Sequence, residues 1–223
     1  MTMTQLVVLA NSWKHSDWCI AGIDLATGAW VRPVSSLDDG RIPKSTMKLD
    51  GYFPKLCDII EIPLAATGES YGFEKENRTI LPGNWIRHGT MKPSSLQTYV
   101  ARTDCIFNTL ENYISLEVLQ KKTQEKQCSL QLIQVYDYRT RSTKRKTTGD
   151  STWQGIFSLG NREWAIRITD PVFIGKLTAG YKPSSTCLLT ISLSMPYKPP
   201  DWEAQKPPAC WKLIAGVIEF PVM

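Results

Sequence analysis

"QLVVLANSWKHSDWCIAGIDLATGAWVRPVSS", residues 5–36, decides the fold. An apolar run ends in Asn11-Ser12-Trp13-Lys14, and a second apolar stretch ends in Trp30-Val31-Arg32-Pro33. Both runs are strand length. The spacing predicts strands at Thr4–Leu9, Cys19–Asp24 and Trp30–Val34, the last two forming a hairpin with Gly28 in its turn. Each run finishes with polar, cationic and aromatic groups side by side. Either these groups complete strand ends by bonding the local backbone, or they face a ligand together.

Strand signals continue outward from this stretch. Leu56–Pro63 is an apolar run interrupted by Asp58 and Glu61, and Cys128–Tyr138 alternates. Phe157–Trp164 reads as a hairpin with Gly160-Asn161 at its tip, and Trp164–Thr169, Thr186–Leu193 and Trp211–Phe220 complete the set. Helix is sparse. Ile106, Phe107, Leu110 and Tyr113 fall at helical spacing over 104–112, and Ser115 is placed to cap a second short helix running to Lys126. Many short strands with Gly and Pro turns define a mainly β class with a minor α component, as small barrels or a sandwich. Cys19–Ile23 loosely repeats in Leu213–Val217, and Trp30–Val34 in Trp164–Val172, a weak sign of two related halves.

The bulk numbers set bounds. The chain has 223 residues, 42% hydrophobic and 21% charged, enough for one large domain or two small ones with a sizeable core. Twenty-six basic against 21 acidic residues give net +5, a mild bias that permits polyanionic partners without requiring them. No stretch reaches the ~18 apolar residues of a membrane span, and Met1–Gln5 has no signal-peptide shape, so a cytoplasmic protein without membrane attachment is expected. Six scattered cysteines without CxxC spacing, and only two histidines, imply reduced thiols; no metal and no cofactor is expected.

Several segments could carry function. Asn11 and Ser12 offer short donors and acceptors, and Lys14 a point charge. Trp30 and Arg32 share one strand face because side chains alternate with period two. That pairing suits a flat ligand: a ring to stack on and a fork for phosphate. Packing of Arg32 along Trp30 on an outer face explains it equally well. Glu74-Lys75-Glu76-Asn77-Arg78 is a polar cluster in which Asn77 could read a base edge and Glu76 orient a cation. Arg139, Arg141, Lys144, Arg145 and Lys146 put five cations into eight residues, read as a mobile loop that tracks phosphates. No HExxH, GxSxG, P-loop or GxGxxG is present, and no catalytic residue is assigned.

The pieces "LANSWKHSDWCIAG", "WVRPVS", "GYFPKLCDIIEIPL" and "EKENRTI", with "ITDPVF", "TCLLTISLSMPY" and "CWKLIAGVIEF" late in the chain, resemble the dual OB-fold domain family of bacterial proteins. The resemblance implies two small OB-like β-barrels joined by a helical connector: residues 1–100, 101–127 and 128–223. It also implies nucleic-acid or nucleotide recognition and an association with bacterial defence. Asn11, Ser12, Lys14, Cys19, Trp30, Arg32, Pro33, Glu76, Asn77, Asp170, Ser192 and Lys212 fall on its motif positions. Trp13 and the Pro-rich segment Pro196–Pro208 depart from it.

The expectation is a non-catalytic module that binds single-stranded nucleic acid or a nucleotide, through Asn11, Ser12, Lys14, Trp30, Arg32, Glu76, Asn77 and Lys212. Two alternatives stand. One is an enzyme acting on a nucleotide or nucleic acid, with Asp170 and Glu76 near Lys14. The other is an adaptor whose Pro196–Pro208 loop contacts a protein partner encoded nearby.

Overall fold

A computed structural model describes residues 2–14, 17–47, 49, 51–123, 127–144 and 149–220. Strand makes up 44% and helix 11%, which makes the class mainly β. The chain divides into two compact units, Met1–Tyr99 and Val100–Met223.

The first unit contains β1 (Thr2–Lys14), β2 (Asp17–Asp24), β3 (Trp30–Val34), β4 (Asp58–Leu64), β5 (Asn77–Thr79) and β6 (Ile86–Thr90). Their order in the sheet is β5-β3-β2-β1-β4-β6. The expected β2–β3 hairpin forms, with Gly28 at φ +71°. β1 runs five residues beyond the expected Leu9. A register shift between Val8 and Ala10 bends it, so one strand pairs β4 along its first half and β2 along its second. β3 and β5 run parallel. A Cβ on Gly22 would lie 2.0 Å from the Val7 carbonyl oxygen, so no larger residue fits where β2 crosses β1. Leu6, Val8, Trp18, Ile20, Val31, Ile60 and Ile62 fill the core.

The second unit contains β7 (Tyr113–Ser115), α1 (Leu116–Gln120), β8 (Leu130–Val135), β9 (Arg139–Lys144), β10 (Ser151–Leu159), β11 (Arg162–Ile168), α2 (Pro171–Thr178), β12 (Cys187–Leu193) and β13 (Ala209–Glu219). The order is β8-β12-β13-β11-β10-β9, with β7 on β13. β8 and β9 are consecutive, β11 runs parallel to β13, and α2 lies between β11 and β12. Taking β8 and β9 as one bent first strand, the neighbour relations of the first unit recur: first with second and fourth, third parallel to fifth. That is the wiring of a five-stranded Greek-key barrel. Gly155 of β10 repeats the part of Gly22, because a Cβ there would meet Ile214 and Tyr138 at 2.6 Å.

Three expectations change. The barrels are open sheets, since neither closes by a continuous ladder among the described residues. In the first, a single Leu64–Ile80 bridge ties the chain after β5 back to β4, with Ala65 donating to the Thr79 carbonyl and Leu81 to that of Pro63. In the second, only Tyr136, Asp137 and Tyr138 separate the two sheet ends. The predicted helix over 104–112 is one 3-10 turn, Ile106–Asn108, with Phe107 and Asn108 at positive φ. Asn112 then accepts from the Lys212 amide and β7 pairs β13, so the connector segment is mostly not helical. A few apolar residues cannot nucleate a helix against such a ladder. The basic segment begins as strand β9, held by β10, rather than as a loop. Arg145 and Lys146 lie outside the described residues. The Ser115 cap does form, accepting from the Val118 amide, although α1 ends at Gln120. The echo between Cys19–Ile23 and Leu213–Val217 joins a second strand to a fifth, so those segments do not correspond. Trp30 and Trp164 do lie on corresponding third strands.

Asp170 caps α2. Its carboxylate accepts from the Val172 and Phe173 amides at 2.9 and 3.1 Å, and Pro171 occupies the first helical position. Burial pushes this carboxyl up to about 6, against the lowering effect of the two amides. A folded-state value above the unfolded one means that the native state holds the extra proton. Its stabilising effect is complete below the unfolded value and is lost as pH rises from about 4 to about 6, on the order of 3 kcal/mol. Asp170→Asn retains a cap without the titration. The wild-type-minus-variant difference in unfolding free energy, measured by urea titration, should fall across that interval and level off above it.

Candidate functional site

β3 alternates. Val31 enters the core, while Trp30 and Arg32 are half-buried outside it. On β1 and β2, Ser12 pairs Cys19, and the adjacent Trp18 and Ile20 belong to the core. Ser12, Cys19, Trp30 and Arg32 therefore share the outer face of β1-β2-β3. Lys14 pairs Asp17 at the end of β1, and its side chain lies outside the described residues.

Arg32 organises this face. Its guanidinium is paired with Glu74 and lies 3.6 Å from Glu76, with side-chain exposures of 14%, 4% and 2%. Burial alone would lower the guanidinium pKa, but Glu74 and then Glu76 outweigh it and raise it above its ordinary value. Asn77 donates through Nδ2 to Glu74 at 2.9 Å and to the Glu69 carbonyl at 2.7 Å. The Arg32 amide donates to the Glu76 carbonyl, and Arg32 sits opposite Asn77 in the parallel ladder. The fork foreseen for a phosphate thus holds two carboxylates, and one cation against two anions disfavours an anion at that point. Glu74, present in the polar cluster but not selected from sequence, is the principal partner.

The remaining selected residues are each engaged within their own unit. Asn11 is buried and donates to the Pro54 carbonyl at 2.9 Å, pinning the segment before β4. Lys212 belongs to the second unit, where it is buried. Its ammonium donates to the Thr109 carbonyl at 2.7 Å and lies 4.4 Å from the centre of the Trp164 ring. Burial pushes it down to about 8, with Cys105 opposing and Arg162 adding to the depression. Asp170 is engaged as the cap of α2, an architectural role within the second unit.

β9 carries the basic row. Arg141, Gln154 and Arg167 lie in register across β9, β10 and β11, and Arg141 donates to Gln154 at 2.9 Å. Gly155 and Ile166 of the neighbouring row face the core, so this row is outward; both arginines are exposed. Arg139 in the next row pairs with Glu163, and Lys144 is exposed at the end of β9. Gln154 and Arg167 were not selected from sequence; counting back from the Gly160-Asn161 turn pairs them with each other, but the β9–β10 register that adds Arg141 is a tertiary feature. At the β1–β2 end of the first unit, Trp13 is 50% and Phe53 39% exposed. Both pack on Trp18, Trp13 edge-on at 5.7 Å and Phe53 stacked at 5.4 Å.

Two units with the same strand wiring, each presenting polar and aromatic side chains on an outer face, define a paired-β binding architecture. A family model described as a dual OB-containing domain matches residues 4–217, and the chain belongs to that family. Membership makes it a binding module in general terms. No curated protein and no solved structure matches it significantly. No helix among the described residues is long and apolar enough to cross a membrane.

Removing Arg32 leaves two buried carboxylates face to face. Arg32→Met should lower stability by about 3–5 kcal/mol. Glu74→Gln should do less harm in that background than in the wild type, giving a coupling of at least about 1 kcal/mol in a urea-denaturation double-mutant cycle.

Proposed function

We propose that the protein is a non-catalytic recognition module for single-stranded nucleic acid. The observation that carries this reading is the exposed row Arg141–Gln154–Arg167 on the outer face of β9-β10-β11. Its two guanidinium-bearing positions are two strand spacings apart, about 10 Å. That is wider than a single phosphate and suits separate phosphates of a polynucleotide. Arginine is the residue that grips phosphate in two places at once. Arg139 is partly neutralised by Glu163.

The first unit supports the reading with different chemistry. Trp13 and Phe53 expose ring surface on a buried Trp18 brace, and stacking is worth ~1–3 kcal/mol per base without sequence preference. A reducing compartment fits six free thiols.

Fluorescence anisotropy with labelled oligo-dT and oligo-U tests this. Arg141→Ala/Arg167→Ala alters two exposed side chains and should fold normally. Affinity at low salt should drop at least tenfold, and the log–log salt slope should become shallower by about 1.4, or ~0.7 per lost phosphate contact. A folded double variant that binds as tightly as the wild type would remove the basis of the proposal, as would a wild type that binds neither oligonucleotide. Trp13→Ala should weaken binding by ~1–3 kcal/mol while leaving the salt slope unchanged.

A further inference from the structure

In the second unit, three aromatic rings from three separate segments pack together, and one ammonium lies over two of them. Tyr113 of β7 and Trp211 of β13 are directly opposite in their ladder, with ring centroids 5.2 Å apart. The loop between β12 and β13 adds Trp202, 5.0 Å from Tyr113 and 5.6 Å from Trp211. The planes are inclined to one another by 61°, 50° and 45°, so the rings make walls rather than a flat stack. All three are half-buried and reachable from solvent.

The same loop supplies the cation. The Lys206 ammonium lies 3.9 Å from the Trp202 ring centre and 5.1 Å from that of Tyr113. It has no carboxylate partner among the described residues, so ring faces hold it by attraction of positive charge to the aromatic quadrupole. The loop is built to keep this arrangement. Tyr197 and Ala209 exchange two backbone hydrogen bonds at its base, Trp202 donates its amide to the Pro199 carbonyl, and Lys206 donates its amide to that of Glu203. Pro199, Pro200, Pro207 and Pro208 stiffen both arms.

We propose that Tyr113, Trp202 and Trp211 form an aromatic cage for a methylated ammonium group, and that Lys206 fills it in cis. A primary ammonium is strongly hydrated and gives up water reluctantly. A methylated ammonium carries the same charge with weaker hydration, and aromatic cages favour it for that reason. Lys206 is thus a weak internal occupant, displaceable by a methylated ligand, whether a small quaternary amine or a methylated lysine side chain on a peptide. The site is independent of the nucleic-acid reading, since none of its four residues belongs to the row on β9-β10-β11.

The test uses the full chain, wild type and Lys206→Ala, with the tryptophan indole N–H signals followed by NMR. The probes are tetramethylammonium chloride, titrated against sodium chloride at matched ionic strength, and a trimethyllysine peptide compared with its unmethylated twin. Lys206→Ala should bind tetramethylammonium at least fivefold more tightly than the wild type, with shifts confined to Trp202 and Trp211. Tighter binding of the peptide than of the free ion identifies a protein-borne ligand; the reverse identifies a small amine. Folded Lys206→Ala that responds to neither methylated probe overturns the cage. So does equal binding of the unmethylated peptide, which would reflect charge alone, or a response to adenosine in place of both probes, which would reflect base stacking.

Discussion

The parallel seam between the third and fifth strands is the constraint on which both units depend. Such a seam joins elements far apart in sequence, and each unit holds it with a buried cation. In the first, Arg32 of β3 reaches Glu74 and Glu76 just before β5, and the same residue is bonded through its amide to the Glu76 carbonyl. Breaking the ion pair and unzipping the strand pair would be one event. In the second, Lys212 of β13 lies on the ring of Trp164 from β11, with its charge directed to the Thr109 carbonyl. Arg162 lies 4.6 Å from the centre of the same ring. One seam is closed by carboxylates, the other by an indole.

This difference shapes what each unit can offer a ligand. In the first unit Arg32 is neutralised from within, by Glu74 and Glu76. The second unit seats its buried cation elsewhere and leaves Arg141 and Arg167 exposed. Two copies of one wiring thus differ in where each puts its structural charge.

Part of this was legible in the chain. The β2–β3 hairpin, the two tryptophan-bearing third strands and the shared face of Trp30 and Arg32 follow from alternation and turn chemistry, which act over a few residues. The bent extension of β1 was not legible, because a bulge interrupts the alternation at Leu9. β9 was read as a loop because an edge strand with polar side chains on both faces shows no apolar period. α2 was passed over because the helix is only eight residues long, although its Asp-Pro start is itself a cap signal. Glu74 escaped selection because its partner lies 42 residues away and nothing local marks the pair.

The sequence by itself determined a mainly β chain, its principal strands and the outward display of Trp30 with Arg32, since these rest on interactions between near neighbours. Only the tertiary structure decided what those side chains do. It made Arg32 the clasp of a strand seam, aligned Arg141 with Arg167, and packed Tyr113, Trp202 and Trp211 together with Lys206 over two of the rings. The physical reason is that strand register and ion pairing bring together residues dozens of positions apart, and local propensity carries no record of such distances.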